Sequence, residues 1–160
     1  MEMVKNLLVT KFEEIQKRLI SVLDQLSDEQ VNWRPNDSSN SIANLVVHIS
    51  GNISERISKG MNNRDYIRNR DQEFEELYRT KQDLIELITD SFREAIETTR
   101  YMTEETLLKT QLVRDRERTN IDILIQCATH FSEHLGQIFY IAKMLKDGEY
   151  ATTSVPKKRG

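Results

Sequence analysis

The sequence predicts an all-α protein: a four-helix bundle with a long crossover connection between its second and third helices. Three observations carry this. The 160 residues include only 5 Gly and 2 Pro, where average usage gives roughly 11 and 8. A sheet-rich fold needs many tight turns, so this scarcity favours a few long helices. Four segments repeat apolar residues in steps of three and four, the mark of a helix with one buried face. A run of about twenty polar residues separates the second segment from the third, too long for a simple hairpin link.

The first helix is expected over residues 2–26, its stripe being Val4, Leu8, Phe12, Ile15, Leu19, Val22 and Leu26. Ser27-Asp28-Glu29-Gln30 has the capping-box pattern and opens a short helical turn. Arg34 precedes Pro35 and is biased out of the helical region, which breaks the pattern near Trp33. A second helix is expected over 41–59, capped by Ser39 or Asn40 and stopped at Gly60. Its arc is Ile42, Leu45, Val46, Ile49, Ile53 and Ile57. The polar connection 61–79 follows. A third helix over 81–102 opens at Thr80 and carries Leu84, Leu87, Ile88, Phe92, Ala95 and Ile96. Arg114-Asp115-Arg116-Glu117-Arg118 reads as a solvated, mixed-charge turn. Thr119 caps the fourth helix, 120–146, which ends near Gly148. Residues 1–150 thus form one domain, and 151–160 a flexible basic tail.

Composition excludes several function classes. With 23 basic and 26 acidic residues the net charge is −3, so no global field draws in nucleic acid or an anionic membrane. The longest uninterrupted apolar run is Ile138 to Ala142, too short to span a bilayer. A single cysteine, Cys127, cannot form an internal disulfide framework. A cytoplasmic protein is expected.

The chemistry lies in the three histidines. His130 and His134 are four residues apart on the fourth helix, so their side chains differ by about 40° and project together. They sit at the border of that helix's apolar arc. His48 holds the same position on the second helix. If the two helices are neighbours, three imidazoles converge at the rim of the bundle. Neutral nitrogen ligands suit Zn²⁺, Ni²⁺ or Fe²⁺, and three protein ligands leave a coordination position for water or substrate. The spacing is equally met by partly buried histidines that each bond a neighbour. The inverted metalloprotease motif also fits His130-x-x-Glu133-His134, but only Glu149 follows as a downstream acidic ligand, past the helix end.

Asn52, Glu55 and Gln137 share the angular sectors of the histidines, where they orient imidazoles or bind substrate. The plainer account is polar residues at a helix boundary. Cys127 is a fourth ligand, a redox-sensitive thiol or, more commonly, a small buried apolar residue. Arg68 and Arg70 could clamp a carboxylate or pair with Asp71 or Glu73. Trp33 lines a pocket or covers one end of the core.

These pieces resemble the DinB-like, or YfiT-like, family of metalloenzymes. The likeness runs from the first helix to about Leu145. It rests on Leu26-Ser27 through Trp33-Arg34-Pro35, on Ser41-Ile42-Ala43-Asn44-Leu45-Val46-Val47-His48, and on His130-Phe131-Ser132-Glu133-His134-Leu135-Gly136-Gln137-Ile138. His48 to Asn52 and Arg68 to Phe74 are similar to one bacterial branch of that family. The resemblance implies a four-helix bundle holding a divalent metal, zinc or nickel, on one histidine of the second helix and two of the fourth: His48, His130 and His134. It implies a homodimer, and a reaction on a small thiol or thiol adduct, as in bacillithiol-type S-transfer, or a metal-dependent hydrolysis. The alternative is a non-catalytic helical module that dimerises or binds a partner, its metal structural or absent.

Overall fold

The computed structural model describes residues 1–158. Helix α1 spans Glu2–Asp24, α2 Asp28–Asn32, α3 Ile42–Ile53, α4 Lys81–Tyr101, α5 Glu104–Leu108 and α6 Asn120–Lys146; β1 is Thr110–Val113 and β2 Arg116–Thr119. The four long helices form the bundle. α1 packs on α4 and α6, and α3 packs on the same two, so α1 and α3 stand at opposite corners. Their stripes meet inside: Phe12, Ile15 and Leu19 of α1, Ile42, Leu45 and Ile49 of α3, Leu84, Ile88 and Phe92 of α4, and Leu124, Phe131 and Leu135 of α6 are all buried. Phe12, Phe92 and Phe131 form an aromatic centre with ring centroids 5.8–6.4 Å apart. Burying each such side chain contributes about 1.5–3 kcal/mol, and no single helix could do so alone.

Local chemistry sets the helix starts. Ser27 and Gln30 form the expected capping box at α2, and Thr80 and Asp83 form one at α4. The cap of α3 is Ser41 rather than Ser39 or Asn40: its hydroxyl accepts from the Asn44 amide while the Asn44 side chain accepts from the Ser41 N–H. Asn44 has a second task. Its side-chain amide donates to the carbonyls of Glu73 and Glu75, which ties the long connection back onto α3.

Two features differ from the sequence expectation. First, α3 does not run on as an α-helix to residue 59; Ser54–Lys59 is a π-helical turn. Gly60, expected as the helix stop, has φ −72° rather than a left-handed conformation. It is glycine for space, because a Cβ there would run into the Gln111 side chain and the Arg56 carbonyl. Second, the link after α4 is ordered. β1 and β2 form an antiparallel hairpin pairing Thr110 with Thr119 and Val113 with Arg116. The charged run is therefore one strand and a tight turn. Arg114, at φ 57°, occupies the left-handed position that glycine or asparagine usually takes, at a cost of about 1–2 kcal/mol.

Ala151 exchanges two hydrogen bonds with Gln25, and Thr153 accepts from Arg18, so 151–153 is attached to α1. Pro156, Lys157 and Lys158 are exposed; Arg159 and Gly160 lie outside the described residues. Trp33 is 38% exposed and packs neither in the core nor at the histidines. Among the described residues no helix is long and apolar enough to cross a membrane.

Candidate metal centre

Because α3 and α6 are neighbours, the three histidines meet. His48 Nε2 lies 3.0 Å from His130 Nε2, and His134 Nε2 lies 3.2 Å from the same atom. One ligand atom from each residue falls within 4.8 Å of the other two. His48 is buried and the other two are half-buried.

The outer nitrogens explain why the inner ones face each other. His48 Nδ1 donates to the Glu73 carboxylate at 2.7 Å, and a carboxylate can only accept. His134 Nδ1 donates to Gln137 Oε1 at 2.8 Å. Both rings therefore carry their proton on the outer nitrogen, and their Nε2 lone pairs point inward. His130 Nε2 has one proton to offer at most, so at least one lone pair in the cluster is left facing the others. That arrangement suits a cation. Nitrogens bound at 2.0–2.1 Å to one ion sit roughly 2.9–3.4 Å apart in tetrahedral or octahedral geometry, which matches the two Nε2 separations. The donor set thus fits a divalent transition metal.

Glu73 comes from the long connection and is held in turn. Arg68 clamps it through both carboxylate oxygens, Nε to Oε1 at 2.6 Å and Nη2 to Oε2 at 2.9 Å, and its Nη1 donates to Glu55 at 2.8 Å. Both Arg68 and Glu73 side chains are 7% exposed. Gly51 makes room for the pair, since a Cβ there would strike the Glu73 carboxylate. Phe74 packs on the His48 ring at 4.7 Å between centroids, and the Arg70 guanidinium lies 4.8 Å above Phe74.

Burial favours the neutral form of two of the rings, His48 and His130. Burial pushes His130 down from 6.5 to about 4, with the neighbouring imidazoles and the guanidiniums of Arg68 and Arg70 adding to it. Burial also lowers His48, opposed by its bond to Glu73. Neutral imidazole is the metal-binding form. Above His48 and His130 opens a cleft of about 680 Å³ between α3, α6 and the hairpin.

Gln137 holds His134. Glu55 reaches His48 only through Arg68 and Glu73. Asn52 lines the cleft and accepts from the Cys127 thiol at 3.4 Å. Cys127 is buried, its thiol pushed up to about 12, and stands outside the histidine cluster. Arg68 pairs with Glu73 and Glu55 rather than with Asp71. Glu73 as the partner of His48 was not legible: it lies 25 residues away in a stretch with no helical period. The cleft-lining arginines of the hairpin were likewise hidden in what read as a solvated turn.

The helical bundle is a DinB-like fold, shared with solved structures. The crystal structure of a conserved protein from Enterococcus faecalis aligns with TM-score 0.73 at 15% identity, covering 87% of this chain and 95% of the other. A DinB-like protein from Bacillus subtilis, YjoA, aligns with TM-score 0.64 at 18% identity, covering 94% and 96%. A DinB-like protein from Bacillus cereus aligns with TM-score 0.68 at 12% identity, covering 86% and 90%. The chain belongs to the family described as "Protein of unknown function (DUF1572)", which matches residues 2–159. No curated protein matches it in sequence.

Proposed function

We propose that this protein is a divalent-metal-dependent enzyme, with zinc or nickel held by His48, His130 and His134. The observation that carries the reading is the inward convergence of the Nε2 atoms, 3.0 and 3.2 Å apart, with the outer nitrogens of His48 and His134 fixed by Glu73 and Gln137. A bound ion of this kind lowers the proton affinity of a coordinated water or thiol and polarises an oxygen. The chain's own residues do the rest. Glu73 and Gln137 orient two rings, Arg68 locks Glu73, and the cleft admits a small molecule to one side of the cluster.

The reaction is transfer of a small thiol, of the bacillithiol type, or hydrolysis of a small substrate. The resemblance supports this, as does a site reached from a cleft of a size that suits small molecules. A cytoplasmic homodimer belongs to the same reading; exposed Met3 and Leu7 on α1 supply an apolar face for it. A non-catalytic module expects imidazoles capped by protein, and the 35% exposure of the His130 side chain runs against that. The test is a screen of zinc- or nickel-loaded protein with low-molecular-weight thiols and electrophiles, following thiol consumption. The expected result is turnover abolished by a chelator and by His130→Ala. Turnover indifferent to both overturns the reading.

A further inference from the structure

The cleft over the histidines is lined by six arginines, Arg56, Arg68, Arg70, Arg114, Arg116 and Arg118, in a chain whose net charge is −3. Three of them are committed. Arg68 is bound by Glu55 and Glu73, Arg118 pairs with Asp122 at 2.8 Å, and Arg56 reaches Glu55 at 3.5 Å. The other three, Arg70, Arg114 and Arg116, have no carboxylate within 4.0 Å among the described residues. Three acidic residues, Glu55, Asp115 and Glu133, also line the cleft; Glu55 is taken up by Arg68 and Arg56, and Glu133 stands 4.0 Å from His130 Nδ1.

The placement of these three is specific. Arg70 lies over Phe74, which packs on His48, so its charge is held next to the cluster. Arg116 opens β2 directly across the two-residue turn from Val113. Arg114 sits at positive φ, a conformation that an arginine adopts at a cost and that places strain in the lining of the cleft. Strain of this kind gathers at ligand clamps. Guanidinium is the side chain suited to carboxylate and phosphate, because its planar fork donates two parallel hydrogen bonds. The cleft's 680 Å³ has room for a small molecule; a polymeric anion needs an extended basic stripe instead.

We infer that the cleft captures a small anionic substrate, its carboxylate or phosphate gripped by Arg70, Arg114 and Arg116 while the reacting bond lies toward His48 and His130. The position of the reacting bond rests on the function proposed above; capture of the anion does not.

Titration calorimetry of the full chain, as purified and after dialysis against a chelator, tests this with four probes: succinate, phenyl phosphate, and their neutral counterparts succinamide and phenol. Saturable binding of one anion and not its neutral counterpart is expected, and which anion binds separates a carboxylate from a phosphate substrate. In Arg70→Gln/Arg114→Gln/Arg116→Gln the Kd rises about tenfold or more, while Arg93→Gln on α4 leaves it unchanged. Should the triple variant fail to fold, Arg114→Gly, which relieves the turn, and Arg70→Gln alone each raise the Kd about threefold. Absence of anion binding, equal binding of the neutral probes, or an unchanged Kd in these variants overturns the inference. Zinc and nickel binding are measured in parallel. Anion capture with neither metal bound overturns the metal reading alone, and metal binding without anion capture overturns the anion inference alone.

Discussion

The Glu73 carboxylate accepts a 2.7 Å hydrogen bond from His48 Nδ1 across 25 residues of sequence. That one contact fixes the tautomer of the buried imidazole and ties the polar connection to the site. Substituting Glu73→Gln keeps the size and removes the charge. Metal affinity should fall about 10- to 100-fold, as it does when the outer partner of a ligating histidine is removed. Competition with a zinc-sensitive dye measures it. Glu73→Ala leaves Arg68 without its main partner in a buried setting, so a loss of about 3–5 kcal/mol in stability is expected as well.

Gly51 offers an independent probe of the same contact. Alanine inside a helix is ordinarily stabilising by about 1 kcal/mol relative to glycine. Here the added Cβ meets the Glu73 carboxylate and comes within 3.3 Å of Arg68 Nε. Gly51→Ala should therefore retain its helical circular dichroism, show no rise in Tm and bind zinc more weakly. A more stable variant with unchanged affinity would show that the approach of Glu73 to α3 is not needed.

Much of this was legible in the sequence. The stripes of Phe12 to Val22, Leu84 to Ile96 and Leu124 to Ile138 mark the helices because burial imposes the 3.6-residue period. The four-residue spacing of His130 and His134 marks a shared face for the same reason. What stayed hidden depends on contacts made through space. The β-hairpin could not be read because its turn, Arg114-Asp115, lacks the glycine or asparagine that signals one. The π-helical turn at Ser54–Lys59 leaves the apolar arc of Ile53 and Ile57 unchanged. Glu73 looked like any acid in a charged run, since nothing local shows that Asn44 and Gly51 receive that run on α3.

Acid should destabilise the metal-free protein in a way that His130 reports. Its folded value is about 4 against 6.5, and His48 is shifted in the same direction. Below 6.5 the unfolded chain takes up protons that the folded chain refuses. The contribution of His130 to stability is therefore full above that value, declines as the pH falls from 6.5 toward 4, and is lost below. Comparing Tm at about pH 7 and about pH 4.5, the wild type should drop further than His130→Gln. An equal drop would mean that His130 is not held neutral by its surroundings.

Cys127 should behave as a core residue. Burial pushes its thiol up to about 12, and the thiolate is the reactive form. The native protein should resist thiol-specific reagents and react once unfolded. Cys127→Ala should keep full metal content at a stability cost of about 1 kcal/mol. Rapid modification of the folded protein, or loss of the ion in the variant, would place sulfur at the centre.

The central claim is that three imidazoles from α3 and α6 bind a single ion. Metal analysis of the full chain, purified without chelators and then equilibrated with zinc or nickel, addresses it most directly. The account predicts about one ion per chain, and none in His48→Ala/His130→Ala/His134→Ala that retains its helical circular dichroism. A wild-type protein without stoichiometric metal after both additions, or a triple variant that still holds it, would contradict the account.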